Sequence, residues 1–252
     1  MTRDVLGVPH GAYITLTIEP EAIEKRGHEN VTKRDLQLFN KRLRKAVKTP
    51  YKFLAVGEYG DTRGRPHYHQ LIFGVDFKED RYGWAIRNGN PYFRSPTLER
   101  AWPHGNAEIG EITTETINYV CRYTMKKQTG ERKGKPVEVV DQRTGEVSER
   151  DPMFALMSRG GRQGKGLGHS WLMKYGWQLV DHDRVIRKGK EAKPPRYYTN
   201  KLKEALPEEM AKVLETRMEK AKERKKDNTY KRRQVRKTVT RARIRQQRKG
   251  EM

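Results

Sequence analysis

The sequence predicts an α+β fold, an antiparallel central sheet with helices packed on it, and three observations carry that prediction. Residues 12–18 and 51–59 are rich in β-branched and aromatic side chains, and His67–Gly74 continues the same apolar character. Residues 32–47 and 113–127 instead space their apolar side chains at helical intervals. The order strand, helix, strand pair, helix favours helices laid on a sheet over a pure bundle or sandwich.

Ala12–Ile18 reads as the first strand, ending at Pro20. Leu36, Phe39, Leu43 and Val47 then mark an amphipathic helix from Thr32 to Val47 that stops before Pro50. Tyr51–Tyr59 reads as a second strand, and the polar segment Gly60–Arg65 as the turn of a hairpin into the strand that carries His67 and His69. A short strand at Ala107–Ile112 leads into a helix at Thr113–Lys127, with Thr113 or Thr114 as cap and Glu115 in the first turn. A Gly/Lys-rich connection follows at 128–136, then a hairpin around Arg143-Thr144-Gly145. The organisation expected is a core at 1–127, accessory elements of the same domain at 128–203, and a basic helical or disordered tail at 204–252.

The chain has 252 residues, 34% of them hydrophobic, with a mean hydropathy of -1.04 and a formal charge of +23. From Lys222 onward there are 14 basic and 3 acidic residues. Such an excess favours a polyanionic partner, because each Lys or Arg set against a phosphate releases condensed counterions. No apolar run approaches the roughly 20 residues that span a bilayer. Residues 1–20 lack a signal peptide's pattern, so an intracellular protein without membrane association is expected. The single cysteine, Cys121, excludes a disulfide framework and a multi-cysteine zinc site.

His67 and His69 stand two residues apart on a strand, so their side chains share one face while Tyr68 takes the other. Glu58 ends the preceding strand, and hairpin pairing brings its carboxylate toward both imidazoles. Two imidazoles and a carboxylate leave coordination positions for a phosphate oxygen and water, and without thiolates the donor set favours Mg²⁺ or Mn²⁺. Tyr119 and Tyr123 lie on one side of the second helix, with Ile117, Cys121 and Thr124 roughly opposite, so they do not simply continue an apolar stripe. Lys126 and Lys127 follow within a turn, where an ammonium neutralises a phosphate or eases formation of a phenolate. Two blander readings stay open here: histidines that only fill hydrogen bonds, and tyrosines that bridge core and solvent.

Taken together, Thr15-Leu16-Thr17, Gly57-Glu58-Tyr59-Gly60, Gly64-Arg65-Pro66-His67-Tyr68-His69 and Tyr119-Val120 with Tyr123 and Lys126-Lys127 resemble the HUH endonucleases that initiate rolling-circle replication. The closer likeness is to the replication initiators of gokushovirus-like microviruses, phages with single-stranded DNA genomes. It extends over residues 12–203 and includes Asp35–Phe39, Met157-Ser158-Arg159 and Pro195-Arg196-Tyr197-Tyr198. The resemblance implies an RRM/ferredoxin-like core and a metal-dependent nickase. Its metal ligands would be His67, His69 and Glu58, its nucleophiles Tyr119 and Tyr123, and Lys126 and Lys127 would stabilise charge. It further implies single-stranded origin DNA as substrate, a 5′-phosphotyrosine intermediate with a free 3′ hydroxyl, a host polymerase and helicase as partners, and the cytoplasm of a bacterial host. Oligomeric state is not readable.

Arg65, Arg122, Arg159, Arg162 and Lys165 are the expected DNA contacts. The glycine-rich run 158–168 does not fit a nucleotide-binding loop in register, because Lys165 precedes Gly166 where a hydroxyl residue is needed. Tyr197 and Tyr198 are expected in an extended segment as structural or base-stacking residues, and Trp84, Trp102 and Tyr92 in the core. Two other classes fit parts of the pattern: an HUH transposase or relaxase, and a non-enzymatic single-stranded DNA binding or packaging protein.

Overall fold

The computed structural model describes residues 11–126, 134–160, 165–187 and 189–249. Two compact units divide the chain, residues 1–171 and 172–252.

The first unit is α+β, with one seven-stranded antiparallel sheet. In chain order it contains β1 (Gly11–Thr17), α1 (Pro20–Arg26), α2 (Lys33–Val47), β2 (Lys52–Tyr59), β3 (Pro66–Phe73), β4 (Tyr82–Arg87), β5 (Asn90–Arg94), α3 (Pro96–Ala101), β6 (Ala107–Gly110) and α4 (Thr114–Lys126). The hairpin β7 (Val137–Val140) and β8 (Val147–Arg150) follows, then β9 (Phe154–Met157). Strand order across the sheet is β4-β5-β6-β1-β3-β2-β9. The central four, β6-β1-β3-β2, have the order of the split βαβ arrangement.

Period-two alternation gives the sheet two unlike faces. Ile14, Leu16, Ala55, Tyr68 and Ile72 point to one side and pack with Leu36, Phe39 and Leu43 of α2 and Leu98 of α3 in the main core. Tyr13, Val56 and Leu71 point to the other side, where Val120 of α4 covers them. The expected caps form: the Thr32 hydroxyl accepts from the Asp35 N–H, and Thr113 and Thr116 exchange side-chain and backbone hydrogen bonds ahead of α4.

Gly57 and Gly60 are where close approach requires glycine. A Cβ on Gly57 would meet the Phe154 ring at 2.8 Å, and one on Gly60 would meet the His67 ring at 3.1 Å. The first keeps β9 against β2, and the second leaves space for an imidazole.

Between the two histidines of β3, the Tyr68 hydroxyl donates to Asp35 Oδ2 at 2.6 Å and accepts from the Thr32 N–H at 2.9 Å. Asp35 also pairs with Arg26 at 2.7 Å. Tyr68→Phe strands a buried N–H and removes a charge-assisted bond. We expect a loss of about 2–3 kcal/mol in urea unfolding.

The second unit contains the end of α5 (His169–Tyr175), α6 (Trp177–His182), a short hairpin of β10 (Val185–Arg187) and β11 (Lys190–Ala192), α7 (Arg196–Ala205), α8 (Pro207–Glu223), a 3₁₀ turn at Lys225–Asn228 and α9 (Tyr230–Lys249). Leu172, Leu179, Leu202, Met210 and Val213 are buried there. Tyr197 and Tyr198 correct the extended reading: Pro194-Pro195 ends before α7, and both tyrosines lie in its first turn, with rings 5.8 Å apart. Pro195 serves as the N-cap, a position where a missing N–H costs nothing. The basic tail forms helix α9, whose described side chains are almost all exposed.

Candidate nucleic-acid processing site

The hairpin β2–β3 sets Glu58 opposite His67 and Val56 opposite His69. Strands β1 and β3 set Thr15 opposite His69 and Thr17 opposite His67. Directly opposed residues share a face, so Glu58, both histidines, Tyr13 and Thr15 converge on the side covered by α4.

The Glu58 carboxylate reaches diagonally across the hairpin, placing Oε1 3.0 Å from His69 Nε2 in a buried contact. His69 Nδ1 lies 2.8 Å from the Tyr13 hydroxyl and 3.2 Å from Thr15 Oγ1. His67 Nδ1 lies 2.7 Å from the carbonyl of Arg65. A carbonyl only accepts, so this contact fixes the proton on Nδ1 and leaves the Nε2 lone pair of His67 available. The two imidazoles are nearly parallel, 11° apart in plane with centroids at 6.4 Å.

Helix α4 brings Tyr119 to this cluster. Its ring meets His69 edge-on at 5.3 Å and Tyr13 at 6.3 Å, and the Arg122 guanidinium lies 5.8 Å from its centroid. The anchor is Val120, fully buried against Tyr13, Val56 and Leu71. Ile117 and Tyr119 both pack against that cluster, so the helix wheel that sets them on roughly opposite sides misses Val120 between them. Cys121 is exposed. Helix α4 carries Tyr123 and Lys126 in its last turn, but their side chains, Lys127 and Arg162 lie outside the described residues.

Burial governs protonation here. His69 is lowered to about 4 by desolvation, and His67 is lowered mainly for the same reason. Tyr13 is raised well above the ordinary phenol range, first by burial and then by Tyr119 beside it. Both histidines are therefore neutral at pH 7, as metal ligands must be. A lowered histidine also sets the sign of acid sensitivity: the unfolded chain takes up a proton near pH 6.5 while folded His69 resists until about 4. We expect stability in urea to decline as pH falls from 7 toward 4.5, and His69→Asn to flatten that slope.

Among the described residues, no three His, Cys, Asp or Glu side chains come close enough together to hold an ion. Convergence stops at the pair of His69 and Glu58. Their donor atoms stand 3.0 Å apart, the spacing of two adjacent ligands about 2.1 Å from a shared ion. In donor type the set of two imidazoles and a carboxylate fits a hard or borderline divalent ion, with His67 as the third donor on the same face.

The basic residues divide. Arg65 stands at the hairpin turn and Arg122 over Tyr119, both beside the cluster. Arg159 and Lys165 do not join it. Arg159 follows Ser158, which is bonded to Phe53, and Lys165 lies near Lys52, whose ammonium donates to the Gly166 carbonyl. Lys52 and Glu58 occupy opposite ends of β2, roughly 20 Å apart at about 3.3 Å per residue.

Two residues beyond the predicted set contribute. Tyr13 orients the His69 ring, but only the pairing of β1 with β3 reveals it. Trp84 is half-exposed and corrects the core expectation that holds for Trp102, which is 1% exposed. Glu108 of β6 is opposed to Thr15, on the histidine face, and it holds Trp84 Nε1 at 3.2 Å and Arg87 at 2.6 and 2.7 Å. The Arg94 guanidinium lies 3.5 Å from the Trp84 ring centroid. An arginine-backed aromatic thus extends the histidine face toward the sheet edge.

Residues 11–128 match a family of phage replication proteins, described as replication-associated protein ORF2 and its kin. The resemblance to gokushovirus-like replication proteins stands. Relatives include the replication-associated protein VP4 of Bdellovibrio phage phiMH2K, 26% identical over 205 residues that cover 78% of this chain and 59% of the relative. Replication-associated protein ORF2 of Spiroplasma virus 4 is 29% identical over 203 residues, covering 77% and 58%. Replication-associated protein ORF4 of Chlamydia phage 1 is 30% identical over 183 residues, covering 69% and 42%. The matches span less than two thirds of the length of each of these relatives. No solved structure matches the chain. All the residues of the histidine–tyrosine cluster fall inside the family match.

Proposed function

We propose that the protein initiates rolling-circle replication of a single-stranded DNA phage genome by nicking its origin. The observation that carries this reading is the edge-on seat of Tyr119 on His69, within a buried cluster that also holds Glu58. A phenol, a neutral histidine pair and a carboxylate are the parts of a phosphodiester transesterification, and the family match covers each of them.

Tyr119 Oη attacks the scissile phosphorus, forming the new P–O bond as the bond to the 3′ oxygen breaks. The phenolic proton departs, and the 3′ oxygen leaves as a hydroxyl that primes a host polymerase. Energy of the broken ester is retained in the phosphotyrosine link, so a later 3′ hydroxyl rejoins the strand by the reverse step. Tyr123, one turn further along α4, would serve as the second nucleophile, and Lys126 and Lys127 would neutralise charge. A Mg²⁺ or Mn²⁺ ion held by His67, His69 and Glu58 would withdraw charge from a nonbridging phosphate oxygen. Tyr13 and Thr15 keep the His69 ring in place, since a hydroxyl at Nδ1 accepts or donates and so supports either tautomer. Arg65 and Arg122 are placed to contact flanking phosphates, and the Trp84–Arg94 stack to receive a base.

Among the described residues no helix is long and apolar enough to cross a membrane, and the reading places the protein in the cytoplasm of the infected bacterium. The test is incubation with origin single-stranded DNA and Mn²⁺. A protein–DNA adduct that survives denaturant and is abolished by EDTA supports the nickase; DNA binding with no adduct would support a packaging protein instead.

A further inference from the structure

The second unit contains a groove of about 950 Å³ enclosed by α7, α8, the 3₁₀ turn and α9. Each helix turns a basic stripe toward it at helical spacing: Arg196 and Lys203 from α7; Arg217 and Lys220 from α8, with Arg224 at its end; Arg232 and Arg236 from α9. Lys193 adds to these, against only two carboxylates, Asp183 and Asp227.

Both carboxylates are already engaged. Asp183 holds Arg217 through two bonds of 2.8 and 2.5 Å, and Asp227 lies 3.7 Å from Arg232. Arg236 donates to the Asp227 carbonyl and to Asn228 Oδ1. These contacts fix the walls. Among the described residues, Lys193, Arg196, Lys203, Lys220 and Arg224 have no carboxylate partner. Five cations facing one concavity repel each other, and a polyanion is what relieves that repulsion. No aromatic side chain lines the groove, which removes base stacking as a source of selectivity.

We infer that this groove is a second DNA-binding site, separate from the tyrosine–histidine cluster, that grips the phosphodiester backbone without reading sequence. Its role is to hold the strand by charge, so it contributes affinity and salt dependence and no chemistry.

The test uses the full chain with all divalent ions removed and a 30-nucleotide mixed-sequence oligonucleotide, single-stranded or annealed to its complement. Binding is measured against salt concentration for the wild type, for Arg196→Gln/Lys203→Gln/Arg224→Gln, and for a control with Lys212→Gln/Lys222→Gln/Lys231→Gln. The control removes the same charge from exposed positions outside the groove. Losing three phosphate contacts should lower the log–log salt slope by about 2 on single-stranded DNA and weaken binding at least tenfold at 0.1 M salt. The control should move neither by more than about twofold, and circular dichroism should show all three folded. Equal losses in both triple variants would overturn the groove in favour of a diffuse basic field. So would an unchanged slope, or a loss confined to anionic lipid vesicles. Adduct formation is not read in this assay, so its outcome is independent of the nickase reading.

Discussion

Tyr119→Phe should reduce covalent adduct formation with origin DNA by at least about 10³-fold, because it removes the nucleophilic oxygen and little else. The phenyl ring keeps the edge contacts to His69 at 5.3 Å and Tyr13 at 6.3 Å, and Val120 continues to anchor the helix. Oligonucleotide affinity should therefore stay within about threefold of wild type, which separates lost chemistry from lost binding. The measurement is the denaturant-resistant band shift of a labelled origin strand in Mn²⁺, for Tyr119→Phe, Tyr123→Phe and the double variant. Loss with Tyr119→Phe alone assigns the first cut to Tyr119. Loss only in the double variant makes the two phenols interchangeable. An undiminished adduct in the double variant would move the nucleophile off α4 and sink the proposal.

How much of this is legible in the sequence depends on the range of the information each residue carries. The histidine face of β3 follows from period two, and the Glu58 contact from a hairpin whose turn is written in Gly60–Arg65. Both are local. Helix α2 is readable from Leu36, Phe39 and Leu43, and its cap from Thr32. Tyr13 is not readable as a partner of His69, because it lies 56 residues away and meets the histidine only through strand order. The first strand does not reveal that Pro20 opens α1, since a proline that ends a strand and one that starts a helix look alike in sequence. Strands β4 and β5 are short, glycine-interrupted and broken by a bulge between Gly83 and Ala85, so no clean alternation marks them or the outward turn of Trp84. Tyr197 and Tyr198 mislead because two prolines suggest extension, whereas here Pro195 is the last residue before α7.

The second large effect concerns Glu58. Glu58→Gln keeps the side-chain shape and a possible hydrogen bond to His69 Nε2, now 3.0 Å from the carboxylate, but removes the negative charge. If Glu58 served only to orient His69, the amide would retain most of the activity. As an ion ligand it cannot be replaced by a neutral amide at similar strength, so adduct formation should fall about 10²–10³-fold and the Mn²⁺ concentration for half-maximal activity should rise at least tenfold. A readout independent of catalysis is thermal unfolding with and without Mn²⁺: an ion that binds only the folded state at 100 times its Kd stabilises by about 2.7 kcal/mol. That gain should be present in the wild type and in Tyr119→Phe, and missing in Glu58→Gln and His69→Ala. Among these, His67→Ala is the most informative, because its ring stands 6.4 Å from that of His69 and its Nε2 lone pair is free of the Arg65 contact. A full Mn²⁺ shift in His67→Ala would leave His69 and Glu58 as the ion's protein ligands, and a full shift in Glu58→Gln would remove the metal from this face of the sheet.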